Sequence, residues 1–155
     1  MGAQTAKVRL ERRIAAPREQ VFRAWTEAGE LARWWGPRDF TNPVCEADSR
    51  PGGLLRIVMR APDGTRHAMR GVFREVDAPV RLAFSVLAED GLGNPLLEGL
   101  TRVGFLEEDD ATRVTVRSTA AGLAPAAPAM LAGMETGWRQ SLERLAALME
   151  DEGRL

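Results

Sequence analysis

Residues 130–149 read MLAGMETGWRQSLERLAALM. Within them Met130, Met134, Trp138, Leu142, Leu145 and Met149 step by three or four positions, so they share one face of a helix. Pro125 and Pro128 mark its start and the pattern runs to about Asp151. A helix from about 128 to 150, rising about 1.5 Å per residue, would be roughly 34 Å long, enough to cross a whole sheet.

The sheet is legible upstream. Segments at 40–48, 54–61, 67–76, 80–88, 99–107 and 112–119 read as strands, some by plain alternation, as where Leu55, Ile57 and Met59 share a face. Turn signals part them: Arg50-Pro51-Gly52-Gly53, then Pro62-Asp63-Gly64-Thr65, whose Asp-Gly pair tolerates the positive φ of a hairpin, and the acidic tip Glu107-Glu108-Asp109-Asp110. Near-regular spacing with short turns indicates an antiparallel meander. Ahead of it, residues 7–15 form a first strand through Val8, Leu10 and Ile14. Pro17 then opens a helix whose stripe is Val21, Phe22 and Trp25, and a second short helical turn from Glu30 to Trp35 stops at Gly36-Pro37. The expected fold class is α+β: six or seven strands in a curved antiparallel sheet around a long C-terminal helix, with two short helices after the first strand. With 155 residues and no linker or repeat, residues 1–155 make one domain.

Composition removes several function classes. The chain has 21 basic and 22 acidic residues, a net charge of −1, and its arginines are scattered among acids, so neither nucleic acid nor an anionic membrane is an expected partner. No apolar run approaches the roughly 20 residues that span a bilayer. The N-terminal residues MGAQTAKVRLERR carry no apolar leader segment. Met1-Gly2 resembles a myristoylation start, but Ala6 stands where Ser or Thr is required. The single cysteine, Cys45, excludes an internal disulfide and any multi-cysteine metal site, and a cytoplasmic setting is expected.

Several segments stand together in a recognisable order: Ala16-Pro17-Arg18-Glu19-Gln20-Val21-Phe22-Arg23-Ala24-Trp25-Thr26, Trp34-Trp35-Gly36-Pro37, Arg50-Pro51-Gly52-Gly53, Gly71-Val72-Phe73-Arg74-Glu75-Val76, Pro79-Val80-Arg81-Leu82 and Gly137-Trp138. On these the chain resembles the SRPBCC superfamily, the START and birch-pollen-allergen group. Within it the chain is most similar to the AHSA1-like family, named for a heat-shock-chaperone ATPase activator. The resemblance covers nearly the whole chain and implies the helix-grip fold. Its functions are diverse: lipid carriers, hormone receptors, aromatic cyclases, dioxygenase domains and co-chaperones, so fold alone does not assign one.

The candidate chemistry is sparse. His67 follows a hairpin turn with no carboxylate at a telling spacing, which is the setting of an ordinary surface histidine. Cys45 shares parity with Ala47 and is expected to face inward as an inert thiol. One His and one Cys make a poor ligand set, so neither a metal nor another cofactor is expected. Gly91, Gly93 and Gly99 lack the strand-to-helix context of a phosphate loop. Glu75 and Arg81 flank a turn and are expected to pair.

What remains is an apolar pocket between sheet and helix. Its expected lining is Leu55, Ile57, Met59, Phe73, Phe84, Val103, Phe105, Val114, Val116, Met130, Met134 and Trp138, residues that also serve as core. The methionines offer adaptable, polarizable walls. Tyrosine is absent, so polar specificity falls to Arg56, Glu98, Thr101, Arg102 or Ser118. The reading favoured is non-catalytic binding of a small apolar or aromatic molecule. The alternatives are a chaperone-associated stress factor, which the family resemblance implies, and a cyclase or hydrolase working in the same cavity. Exposed sheet edges and balanced charge also allow a homodimer.

Overall fold

The computed structural model describes residues 4–152; Met1-Gly2, weighed above as a lipidation start, lies outside them. Strand β1 (Thr5–Ile14) is followed by helices α1 (Arg18–Thr26) and α2 (Ala28–Leu31). Then come β2 (Thr41–Ala47), β3 (Leu54–Arg60), β4 (Arg66–Asp77), β5 (Arg81–Glu89), β6 (Pro95–Glu108) and β7 (Ala111–Gly122), and the chain ends on α3 (Ala127–Ala132) and α4 (Met134–Glu152). The strands form one seven-stranded sheet, ordered β1-β7-β6-β5-β4-β3-β2, with every pairing antiparallel. From β2 to β7 this is a meander. β1 adds to its far edge beside β7, with Val8 opposite Ser118 and Leu10 opposite Val116.

The turn residues do what their chemistry allows. Gly64 has φ +90° in the β3–β4 hairpin, where the Thr65 N–H donates to Asp63 Oδ1 at 2.9 Å. Gly52 has φ +85°, and a Cβ on Gly53 would run into the carbonyl of Asp48. The ladder is irregular where β4 meets β5. There the Val72 N–H donates to the Ser85 hydroxyl at 3.0 Å, the ladder shifts register between Phe73 and Glu75, and a Cβ on Gly71 would collide with the Ser85 carbonyl. Glycine is required at 71 because the two backbones approach too closely for any side chain.

Alternation then sends one set of side chains inward. Leu55, Ile57, Phe73, Phe84, Val103, Phe105, Val114 and Val116 form the main core with Val21, Trp25, Leu31 and Trp34, and α4 closes it with Leu142, Leu145, Ala146 and Met149. A second, small cluster lies at the other end, where Ala127 and Leu131 of α3 sit on Ala120 of β7.

The C-terminal helix is not continuous. The single helix expected over about 128–150 is divided at Gly133, whose φ of −87° and ψ of −3° end α3. Glycine is the weakest helix former after proline, so the helix breaks most cheaply there. Helix α3 packs on the small cluster, and α4 runs from Met134 beside it to the main core.

Gly71→Ala is expected to lower stability by about 2–3 kcal/mol in chemical denaturation, the range for forcing volume into a packed site. Gly91→Ala, with open space around the added methyl, should change it by no more than about 0.5 kcal/mol.

Candidate functional site

Between the two apolar clusters an unfilled space of about 220 Å³ remains. Met130, Met134, Gly137, Trp138 and Ser141 roof it from α3 and α4. Leu97, Gly99 and Thr101 of β6, Ser118 and Ala120 of β7 and Val86 of β5 form the sheet side, and Met59 with Trp35, Gly36 and Pro37 closes one end. Among the described residues no charged side chain lines it.

The wall at Trp35-Gly36-Pro37 is built by constraint. Trp34 anchors the segment, buried with its indole N–H on the Ala24 carbonyl at 2.9 Å. Gly36 then turns the chain with φ +99°, and a Cβ there would sit 2.9 Å from the Met59 sulfur. Arg144 of α4 donates to three successive carbonyls, those of Trp35 at 3.0 Å, Gly36 at 3.1 Å and Pro37 at 3.0 Å. Burial lowers the pKa of this guanidinium, with the charge of Asp39 opposing the shift. Ser141 accepts from the Gly36 N–H at 3.2 Å and donates to the Gly137 carbonyl at 2.9 Å. Gln140 accepts from the Arg38 N–H at 3.0 Å, and Asn42 donates to the Ala32 and Trp35 carbonyls, each at 2.9 Å.

Two indoles give the space its shape. Trp138 lies stacked over Trp25, 5.9 Å between ring centroids and 18° between planes, and meets Trp35 edge-on at 5.3 Å. On the sheet side Thr101 and Ser118, opposite one another across β6 and β7, are 1% and 4% exposed and share one hydrogen bond of 2.9 Å.

Of the lining residues expected from the sequence, Met59, Met130, Met134 and Trp138 border this space. Leu55, Ile57, Phe73, Phe84, Val103, Phe105, Val114 and Val116 lie in the close-packed main core beside it. Of the polar candidates Thr101 and Ser118 face it. Arg56, Glu98 and Arg102 stand instead along a separate groove of mixed charge, about 1380 Å³, where Arg70 also pairs with Glu89. Leu97, Gly99 and Ala120 were not anticipated, although they continue the inward parity of Val103 and Val116 toward the strand ends. Nor was Trp35 named among the lining residues, although it was placed at the end of the second helical turn and in the motif Trp34-Trp35-Gly36-Pro37.

The other candidates sit apart. His67 is exposed at the start of β4, its ring 6.0 Å from that of Phe40. The Glu75–Arg81 pair forms at 3.9 Å on the surface, where such pairs contribute little. Cys45 is half-buried against the main core, and desolvation, helped by the charge of Glu46, raises its thiol to about 11. Among the described residues no group of three His, Cys, Asp or Glu is placed to hold a metal ion, and no helix is long and apolar enough to cross a membrane.

A curved antiparallel sheet closed by a C-terminal helix over an apolar space defines a helix-grip protein. Residues 15–150 match the family described as Activator of Hsp90 ATPase homolog 1-like protein, and the chain belongs to that family. A protein from Chromobacterium violaceum is 30% identical, with 93% of this chain and 97% of that one aligned at a TM-score of 0.75. The AHSA1 protein from Silicibacter pomeroyi is 27% identical over 95% and 99% of the two chains, with a TM-score of 0.80. A putative uncharacterized protein from Rhizobium leguminosarum is 25% identical over 97% of each chain, with a TM-score of 0.81. No curated protein matches the chain.

A thiol held near 11 instead of the ordinary 9.0 has little thiolate at pH 8. Maleimide labelling of Cys45, followed by mass spectrometry at that pH, should therefore run roughly a hundredfold slower in the folded protein than in denaturant. It should quicken as pH rises toward the shifted value. Equal rates in the two states would contradict the assignment of an inert thiol.

Proposed function

We propose that this protein binds a small apolar or aromatic molecule, without transforming it, in the space between the sheet and α3–α4. The observation that carries the reading is the wall: an unfilled volume of about 220 Å³ bordered by Trp35, Trp138 and three methionines. An apolar cavity of about 150 Å³ is enough to take up benzene, so the occupant is a one- or two-ring molecule, smaller than a typical drug-sized ligand. The two indoles supply stacking surface, and the methionines adjust to shape.

The wall also argues against the cyclase or hydrolase reading. Among the described residues no carboxylate, imidazole or thiol borders the space, so the hydroxyls of Thr101, Ser118 and Ser141 have no base beside them to activate a nucleophile. The family description favours a second reading, association with a chaperone. Sedimentation of the purified chain with and without a purified Hsp90-type ATPase separates the two: a shifted boundary supports association, and an unshifted one leaves the small molecule. The same experiment on the chain alone reports a homodimer, for which the edge strands β1 and β2 are available. The sparse, desolvated cysteine suits a reducing cytoplasm.

Native mass spectrometry of the purified protein should show a co-purified molecule below a few hundred daltons. Trp138 is only half-buried and borders empty space. Trp138→Ala should therefore cost less than the roughly 3–5 kcal/mol of a fully packed aromatic. Met130→Trp, which adds volume to the cavity from a half-buried position on its roof, should abolish saturable binding of toluene. Undiminished toluene binding in Met130→Trp would place the ligand elsewhere.

A further inference from the structure

The cavity has one polar spot with hydrogen-bonding capacity to spare, and it specifies the ligand more closely than apolarity does. Thr101 and Ser118 each carry one O–H donor, and the single bond between them uses only one of the two. Among the described residues neither hydroxyl has another side-chain or backbone partner, and both are almost wholly buried. One donor is therefore left over, on a wall that otherwise presents ring faces, thioethers and methyl groups. Ser141, the other hydroxyl facing the cavity, is fully engaged between the Gly36 N–H and the Gly137 carbonyl. Thr119 also borders the space, but it falls between Ser118 and Ala120 in the strand alternation and its side chain is exposed.

A buried donor without an acceptor carries a desolvation penalty, which an acceptor from a ligand would remove. That acceptor must be uncharged. Arg144, which holds the Trp35-Gly36-Pro37 wall, spends its guanidinium on backbone carbonyls, and among the described residues no cation borders the cavity to offset the dehydration of an anion. We infer that the ligand is a small neutral molecule with one acceptor oxygen, a ketone, aldehyde or comparable carbonyl on a ring, held with that oxygen at Thr101–Ser118 and its ring against the Trp138 and Trp35 side of the cavity. This rests on the cavity being the binding site.

The test uses three probes of nearly one shape. Acetophenone has the carbonyl, α-methylstyrene replaces its oxygen by a methylene group, and benzoate replaces the methyl ketone by a carboxylate. Each is titrated into the full chain and followed by proton–nitrogen correlation NMR of the amides and indoles. Acetophenone should bind about threefold to tenfold more tightly than α-methylstyrene, the worth of one neutral hydrogen bond, and benzoate should bind more weakly than either. Either single change, Thr101→Val or Ser118→Ala, leaves one hydroxyl free to donate, so the preference for the ketone should persist. The double change should erase it while the hydrocarbon still binds. Replacing both partners by apolar groups of similar shape is close to neutral for stability, and the hydrocarbon itself reports whether the cavity survives. The wild-type comparison needs no variant at all.

Equal binding of ketone and hydrocarbon to the wild type, or a preference that survives the double change, would overturn this inference and leave an apolar pocket. Benzoate binding as tightly as acetophenone would overturn the requirement for a neutral ligand. If none of the three binds, the cavity reading falls with it.

Discussion

The carbonyls of Trp35, Gly36 and Pro37 point in succession at the guanidinium of Arg144, and the geometry of the cavity hangs on that contact. Helix α2 ends at Leu31, whose carbonyl accepts from the Trp34 and Trp35 N–H groups, and Gly36, at φ +99°, turns the chain away before a further helical turn can donate to the carbonyls of Trp35 and Gly36. A buried carbonyl without a partner is costly, so the segment needs donors from elsewhere. Arg144 supplies several in one planar group, which lysine, a compact and strongly hydrated point charge, could not arrange in the same way. Ser141 one turn earlier on the same helix holds the Gly36 N–H. Together they fix the Trp35 wall to α4, and α4 is fixed in turn by Leu142, Leu145, Ala146 and Met149 in the main core.

The empty space follows from how the two apolar clusters are packed. α3 settles on Ala120, and past Gly133 α4 runs from Met134, against that same cluster, to Leu142, Leu145 and Met149 in the main core, so the space lies under the start of α4. The walls that remain are wide and adaptable, two tryptophans and three methionines, and they meet the sheet where its residues become small: Gly99, Ala120, Ser118 and Thr101. Large side chains at those four positions would have filled the volume.

Charge plays little part inside and a modest one outside. Most of the ion pairs, such as Arg56 with Glu46 and Arg50 with Asp48, involve exposed side chains and so contribute little each. The polar interactions that shape the molecule are the buried ones: Arg144 on its carbonyls, Thr112 on the Ala16 carbonyl at 2.8 Å, and the Thr101–Ser118 pair. Of these only the last faces empty space with a donor unspent, which makes the cavity both apolar and polar at one point.

Much of the architecture was readable from local patterns, because strand alternation, turn glycines and helical spacing are properties of short segments. The seven strands fall within a few residues of the expected segments, and the hairpin at Asp63-Gly64 follows from the φ that glycine permits. The family could be recognised from contiguous motifs such as Trp34-Trp35-Gly36-Pro37, and the match over residues 15–150 bears that out. The cavity was not readable to the same degree. Parity distinguishes inward from outward, but both core and cavity lie inward, so Phe73 and Phe84 looked no different from Met59 and Trp138. What separates them is whether a residue on another element fills the space opposite, and that depends on where α3 and α4 part and how closely β4 and β5 approach at Gly71. Sequence alone set the periodicities and the positions that only glycine can occupy. The tertiary structure decided which inward side chains met a partner and which were left facing a void, because close packing is a relation between distant segments.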